Sequence, residues 1–108
     1  MVSAELALAF PAVVLVLALA LTGLTYAVDL VRSEDAARAG ARAASRGEPT
    51  AVVQEVVRSR APEGARLDVS SSGEWVRVEV TVARRSRLLP LPAARGEAEA
   101  RWEPGAVP

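Results

Sequence analysis

The 108-residue chain contains no cysteine and no histidine. Disulfides, thiolate nucleophiles, imidazole bases and most transition-metal sites are therefore excluded at the outset. Lysine is also missing, so every basic residue is arginine, and 13 basic residues balance 13 acidic ones. The arginines are spread from Arg32 to Arg101 without forming a single block, which gives no support to nucleic-acid binding. No glycine-rich phosphate loop or paired-carboxylate arrangement occurs, and the serines Ser70 to Ser72 have no base to activate them. The expectation is a protein that is not an enzyme and uses no cofactor, metal or small-molecule substrate. Aromatic residues are scarce too, with two Trp, one Tyr and one Phe.

What the chain does have is a long uncharged stretch. From Leu6 to Val28 no residue carries a charge. As a helix this run would be roughly 34 Å long, against about 30 Å for the hydrocarbon core of a bilayer. A secretory signal peptide has a shorter apolar region and ends at a cleavage site, whereas here the helical pattern continues. A buried helix of a soluble protein would need a large surrounding core, which the remaining residues and few aromatics cannot supply. A retained membrane anchor fits better.

Helical character continues past the apolar run, because Asp29 to Ser45 is rich in Ala and Arg and has no Pro or turn cluster. One helix is expected from about Ser3 to Ser45, with a tolerated kink at Pro11, ending at Gly47, Glu48 and Pro49. Val52, Val53, Val56 and Val57 then mark one face of a short helix, opposite Gln54, Glu55 and Arg58. Leu67 and Val69 begin an alternation that Ser70, Ser71, Ser72 and Gly73 are expected to cut off as a hairpin turn. In the next strand Val76, Val78, Val80 and Val82 share one face, with Trp75, Arg77, Glu79 and Thr81 on the other. A link through Arg84, Arg85, Ser86, Arg87, Pro90 and Pro92 precedes a third alternation, with Ala98, Ala100 and Trp102 opposite Glu97, Glu99, Arg101 and Glu103. The expected fold class is α+β: a transmembrane and extended helix over residues 1–47, then a head over 48–108 with a short helix and a small three-stranded antiparallel sheet. So small a head is near the limit of independent stability, and assembly is expected to complete its core.

Three features are candidates for function. Glu5 is the one ionisable side chain before Asp29 and sits at the lip of the apolar run. It can snorkel to water or favour the positive end of its own helix, or it can pair with a charge on a neighbouring chain. Ala36, Gly40 and Ala44 recur every four residues, with Ala37 and Ala41 alongside, and form a narrow strip that lets another backbone approach closely. The alternative is that alanine is simply a good helix former. Arg38, Arg42 and Arg46 share the adjacent face, either as a solvated row, as contacts to acidic lipid headgroups or as partners for acidic residues of other subunits. Glu34 and Asp35 lie four and three residues before Arg38 and can satisfy part of that charge within the helix.

The opening M-V-S-A-E-L-A-L-A-F-P-A-V-V-L-V-L-A-L-A-L, followed by E-D-A-A-R-A-G-A-R-A-A-S-R-G-E, resembles the TadE-like minor pilins of the tight-adherence (Tad, or Flp) pilus system, particularly those of high-GC Gram-positive bacteria. The likeness covers residues 1–48, and the A-E-A-R of Ala98 to Arg101 adds to it. It implies a type IV-like pilus component, with membrane lipid, other pilin subunits, assembly machinery and a prepilin peptidase as partners. It also implies that Glu5, fifth from Met1, pairs with a neighbour's N-terminal amine, and that the head lies outside the cell membrane. In the family a peptidase cuts after a glycine, and none precedes Met1, so a start upstream is expected. The positive-inside rule, read on Arg32, Arg38, Arg42 and Arg46 alone, points the head to the cytoplasm, and a basic upstream leader would reverse it. A plain signal-anchored protein whose head binds a partner, or a cytoplasm-facing subunit of a membrane complex, stand as alternatives. Mass and N-terminal sequencing of the native protein, with and without the host's prepilin peptidase, are expected to show peptidase-dependent removal of a leader; an N-terminus at Met1 in both cases would favour the plain anchor.

Overall fold

Alanine and leucine dominate the first 45 residues, and nothing in them except Pro11 opposes a helix. In the computed structural model, which describes residues 2–83 and 89–106, that stretch forms one unbroken helix, α1, over Val2–Ser45 with Pro11 inside it. Its end is a Schellman arrangement: Gly47, at φ 78°, donates its N–H to the Ala44 carbonyl at 3.0 Å, and Glu48 donates to Ala43 at 3.4 Å. The Glu103 N–H donates to the Ser45 carbonyl at 2.9 Å, so the chain's C-terminal segment closes the same helix end.

The chain then turns back. Helix α2, Thr50–Arg60, returns beside α1 with Val53 and Val57 buried and Val56 half-buried. Three strands follow, β1 over Arg66–Ser72, β2 over Trp75–Val82 and β3 over Ala94–Arg101, in one antiparallel sheet of order β1-β2-β3. The α+β architecture expected from the sequence is thus present, and the molecule measures 76 × 21 × 16 Å because α1 projects far beyond the head.

Two strand limits differ from the sequence reading. Ser70, Ser71 and Ser72 belong to β1, paired with Arg77, Val76 and Trp75, and the turn is confined to Gly73 and Glu74. Gly73 has φ 59° while Glu74 stays at negative φ, the pattern of a tight two-residue hairpin turn with glycine first. Serine is no obstacle on this exposed strand, since neither face of its end has to be buried. Strand β3 starts at Ala94, before the alternation read from Glu97, because Ala94 and Gly96 also point inward. Of the expected link, Arg84, Arg85, Ser86 and Arg87 lie outside the described residues, while Pro90 and Pro92 lie in irregular chain ahead of β3.

The core lies between the sheet and the C-terminal half of α1. Val76, Val78 and Val80 are fully buried, as are Ala36 and Ala37 of α1. Each such valine contributes on the order of 1.5–3 kcal/mol by burial, as an upper figure. Within the chain, α1 supplies the head's second helix and packs against both α2 and the sheet. Contact is closest at Gly96, where a Cβ would run into the backbone of Ser33 and Glu34. The Glu97 N–H donates to the Glu34 carboxylate at 3.4 Å beside this crossing.

On the outer face, Glu79 and Glu97 stand directly opposite each other, an unfavourable pairing in itself. Arg95 offsets it by lying 2.7 Å from Glu79 and 3.7 Å from Glu97, and Arg77 also pairs with Glu97. The bond and charge of Glu97 raise the Arg77 pKa above its ordinary value, so this cation persists at any working pH.

Gly96→Ala is expected to lower the stability of the head by about 1–3 kcal/mol, since backbone atoms cannot swing aside as a side-chain tip can. Thermal unfolding of the full chain in detergent, followed by the near-ultraviolet signal of Trp75 and Trp102, would measure it; an unchanged midpoint would contradict the close crossing.

Candidate functional site

The candidate site is a surface, because what the fold presents is a bare apolar helix rising from a packed head. Leu6, Leu8, Phe10, Val13 to Leu17, Leu21 and Leu24 are all exposed, Leu8 by 79% and Phe10 by 73%. No part of the most apolar window of α1, with mean hydropathy 2.5, is buried within the chain. An apolar surface this extended needs a non-aqueous neighbour. The segment is long and apolar enough to cross a membrane, as in a single-pass membrane protein. Tyr26, half-buried near its upper end, has the amphipathic ring that favours the boundary between hydrocarbon and headgroups.

Glu5 lies exposed in the first turn of α1, where the unsatisfied N–H groups favour a negative charge. It is more than 20 residues from the head along the helix, so no head residue is brought near it. Glu5 and the strip of Ala36, Gly40 and Ala44 therefore occupy two separate places on α1.

The small-residue strip is a packing face whose partner is the protein's own head. Ala36 is fully buried, Ala44 is 6% exposed, and a Cβ on Gly40 would meet Val57 of α2 at 2.6 Å and Val78 of β2 at 3.3 Å. Ala37 and Ala41 are buried in the same cluster. Spacing by four marks a closely packed face, but at Gly40 the neighbours are the side chains of Val57 and Val78 and not another backbone, and periodicity does not say which chain they belong to. Here the face is covered, and it is not open to a neighbouring subunit.

The arginine row is exposed as expected. Arg38 pairs with Glu34 at 3.5 Å and Arg46 with Glu48 at 3.3 Å, both at the surface and each worth little. Asp35 does not serve Arg38; it pairs with Arg60 of α2 at 3.2 Å. Arg32, which entered the sequence reading only through its charge, holds the end of α2: its Nε donates to the Arg60 carbonyl at 3.2 Å and its Nη2 to the Ala61 carbonyl at 2.9 Å. Gly96 was likewise passed over, although an isolated glycine inside an alternating strand is the signal that marks a close approach. Among the described residues no cluster of acidic, His or Cys side chains could hold a metal.

A protein of Mycobacterium tuberculosis named Apoptosis inhibitor Rv3655c is 42% identical over 103 residues, which span 95% of this chain and 80% of that protein. No family model and no solved structure matches the chain.

Because the chain has no cysteine, single cysteines report burial cleanly. Ala44→Cys is expected to react with a maleimide on the order of tenfold or more slowly than Arg42→Cys, since its exposure requires local opening. Equal rates in the folded chain would mean the strip is open and restore it as an intermolecular face.

Proposed function

We propose that this chain, which belongs to the family of the mycobacterial protein named Apoptosis inhibitor Rv3655c, is a minor pilin or pilus-assembly component of a tight-adherence pilus. The observation that carries this reading is one continuous helix that is bare and apolar over its first part and forms half of the head's core over its second. A pilin needs this division: the bare segment sits in the membrane, then exchanges lipid for neighbouring apolar helices in a filament, while the head stays folded throughout. The resemblance of residues 1–48 to TadE-like minor pilins supports it independently of the fold.

On this reading the chain crosses the cell membrane once, with the head outside. No bond is made or broken, and the partners are membrane lipid, other pilin subunits and the assembly machinery. Glu5 acts at the bottom of the apolar segment, where a carboxylate away from water costs on the order of 2–3 kcal/mol unless a cation meets it. A neighbour's N-terminal amine supplies that cation during assembly. The exposed face of the apolar segment, not the Ala36, Gly40 and Ala44 strip, is the surface along which other helices pack.

A second reading is a plain anchored protein whose head binds another protein, and the relative's name, which describes an inhibitor, favours it. Glu5→Ala separates the two. In the pilin reading the variant inserts into the membrane normally but is recovered in sheared pilus complexes at roughly one tenth of the wild-type level or less, the loss expected when a charge pair worth at least 1.4 kcal/mol is removed. Equal recovery of variant and wild type, or recovery of neither, would favour the plain anchor.

A further inference from the structure

The sheet has two edges, and the fold treats them differently. Ser72 and Trp75 flank the two-residue turn as the first hydrogen-bonded pair, so Ser70, Asp68 and Arg66 also bond to β2, while Ser71, Val69 and Leu67 turn their N–H and C=O groups away from it. The Trp102 N–H, donating to the Glu74 carbonyl at 2.8 Å, fits the same alternation on the β3 side, where Arg95, Glu97, Glu99 and Arg101 turn outward. That edge is guarded. Each of its outward positions carries a charge, α1 packs along the strand, and the Glu97 N–H donates to the Glu34 carboxylate. At β1 the outward positions are Leu67, Val69 and Ser71, without charge, proline or bulge, and all of the strand except Leu67 is exposed.

Behind this open edge lies a groove of about 750 Å³ between α2, the loop that follows it and β1. Leu67 shares the inner face of the sheet with its partner Val80 and, with Val57 and Ala65, gives the groove an apolar wall, while Arg32, Gln54 and Arg58 supply its polar side. Val69 on the same face is 43% exposed although its partner Val78 is fully buried, so the helical layer stops short of β1. We infer that the β1 edge and this groove receive an extended segment of another protein, added antiparallel as a fourth strand, with an apolar side chain beside Leu67 and an acidic one on the same face. Main-chain bonds to Leu67, Val69 and Ser71 hold such a segment, and the groove selects its alternate side chains. The acidic preference follows from the lining, where Arg32 and Arg58 outnumber Glu63 and the contact of Arg58 with Glu55 is a 3.7 Å pairing of exposed groups. A second copy of the chain is not the occupant. α1 runs alongside β2, with Ala43 and Ala44 clustered with Val76 and Gly40 against Val78, and two β1 strands pair antiparallel about a two-fold axis perpendicular to the sheet. That axis turns the second α1 the opposite way, so the two helices could not enter one membrane side by side. The inference goes beyond the pilin reading, since it concerns the sheet edge and not the apolar helix.

The test uses the full chain in detergent and a soluble peptide of alternating valine and threonine, with one valine replaced by aspartate. Saturable binding is expected, with amide exchange at Leu67, Val69 and Ser71 slowing roughly tenfold while Asp68 and Ser70, already bonded to β2, change little. Val69→Pro should weaken binding roughly tenfold, about the worth of one hydrogen bond, and leave the unfolding midpoint nearly unchanged, since proline is tolerated where an edge N–H faces solvent. Arg58→Glu should reverse the preference for the aspartate peptide over its lysine counterpart, whereas Arg42→Glu, on the exposed face of α1, should not. Methylating the peptide nitrogens that face β1 should abolish binding, a comparison that needs no variant of the chain. Equal binding by Val69→Pro, binding of the methylated peptide, equal affinity for the lysine peptide, or no saturation at about 1 mM would overturn the inference. So would a dimer of the chain alone that Val69→Pro dissociates, because the edge would then belong to a second copy. Equal pilus recovery of Glu5→Ala removes the pilin reading and leaves this inference standing.

Discussion

Everything in this molecule depends on the contact between the sheet and the C-terminal half of α1. At Gly96 the strand backbone meets the helix backbone at Ser33 and Glu34, and at Gly40 the helix makes room for Val57 and Val78. Neither approach is possible with a side chain in the way. With them, Val76, Val78 and Val80 are fully buried by a helix that carries little more than alanine on that face. A small head without disulfides has few other ways to remove its valines from water. The contact also makes the helix mechanically part of the head, since no joint separates the apolar segment from the core within Val2–Ser45.

The fold was largely legible because its elements follow strong periodicities. The valines of β2 and Val53 and Val57 of α2 mark the sides that are buried, and the apolar run marks a helix that the head leaves bare. What could not be read was the choice of partner. Ala36, Gly40 and Ala44 announce that something comes close, yet helical spacing carries no information about whether Val57 of the same chain or a helix of another arrives there. The same limit applies to charge: Asp35 is well spaced for Arg38, but α2 brings Arg60 nearer, and Arg32 finds the carbonyls of Arg60 and Ala61 only because the chain doubles back. The extent of β1 through Ser70 to Ser72 escaped for another reason. Serine clusters favour turns in isolation, and the two-residue turn at Gly73 and Glu74 leaves them to be paired instead.

Doubling back also sorts the arginines by height. Arg32 and the end of α2 come to the foot of the head, whereas Arg38, Arg42 and Arg46 climb one face of α1 away from it. In the sequence they form one series at nearly regular spacing. In the fold they meet different surroundings, and the row nearest in pattern to a lipid-binding stripe is the one held away from the bilayer when α1 spans it.

Burial of the small-residue strip narrows where neighbouring chains can touch. One side of α1 between Asp29 and Ser45 is taken by the head, and the side that remains carries Val31, Arg38, Arg42 and Arg46. The longest continuous apolar surface left for lateral contact is then the part of α1 that lies below the head. On the pilin reading, assembly and anchoring compete for one surface, so a helix packed against others gives up lipid contacts as it gains protein ones, and the net driving force is small for apolar side chains alone. A charge at the foot of that surface changes the balance, because Glu5 is poorly solvated when alone in an apolar setting and well satisfied when a cation faces it. On that same reading the apolar segment makes the two environments nearly equivalent, and the carboxylate of Glu5 would supply the preference between them.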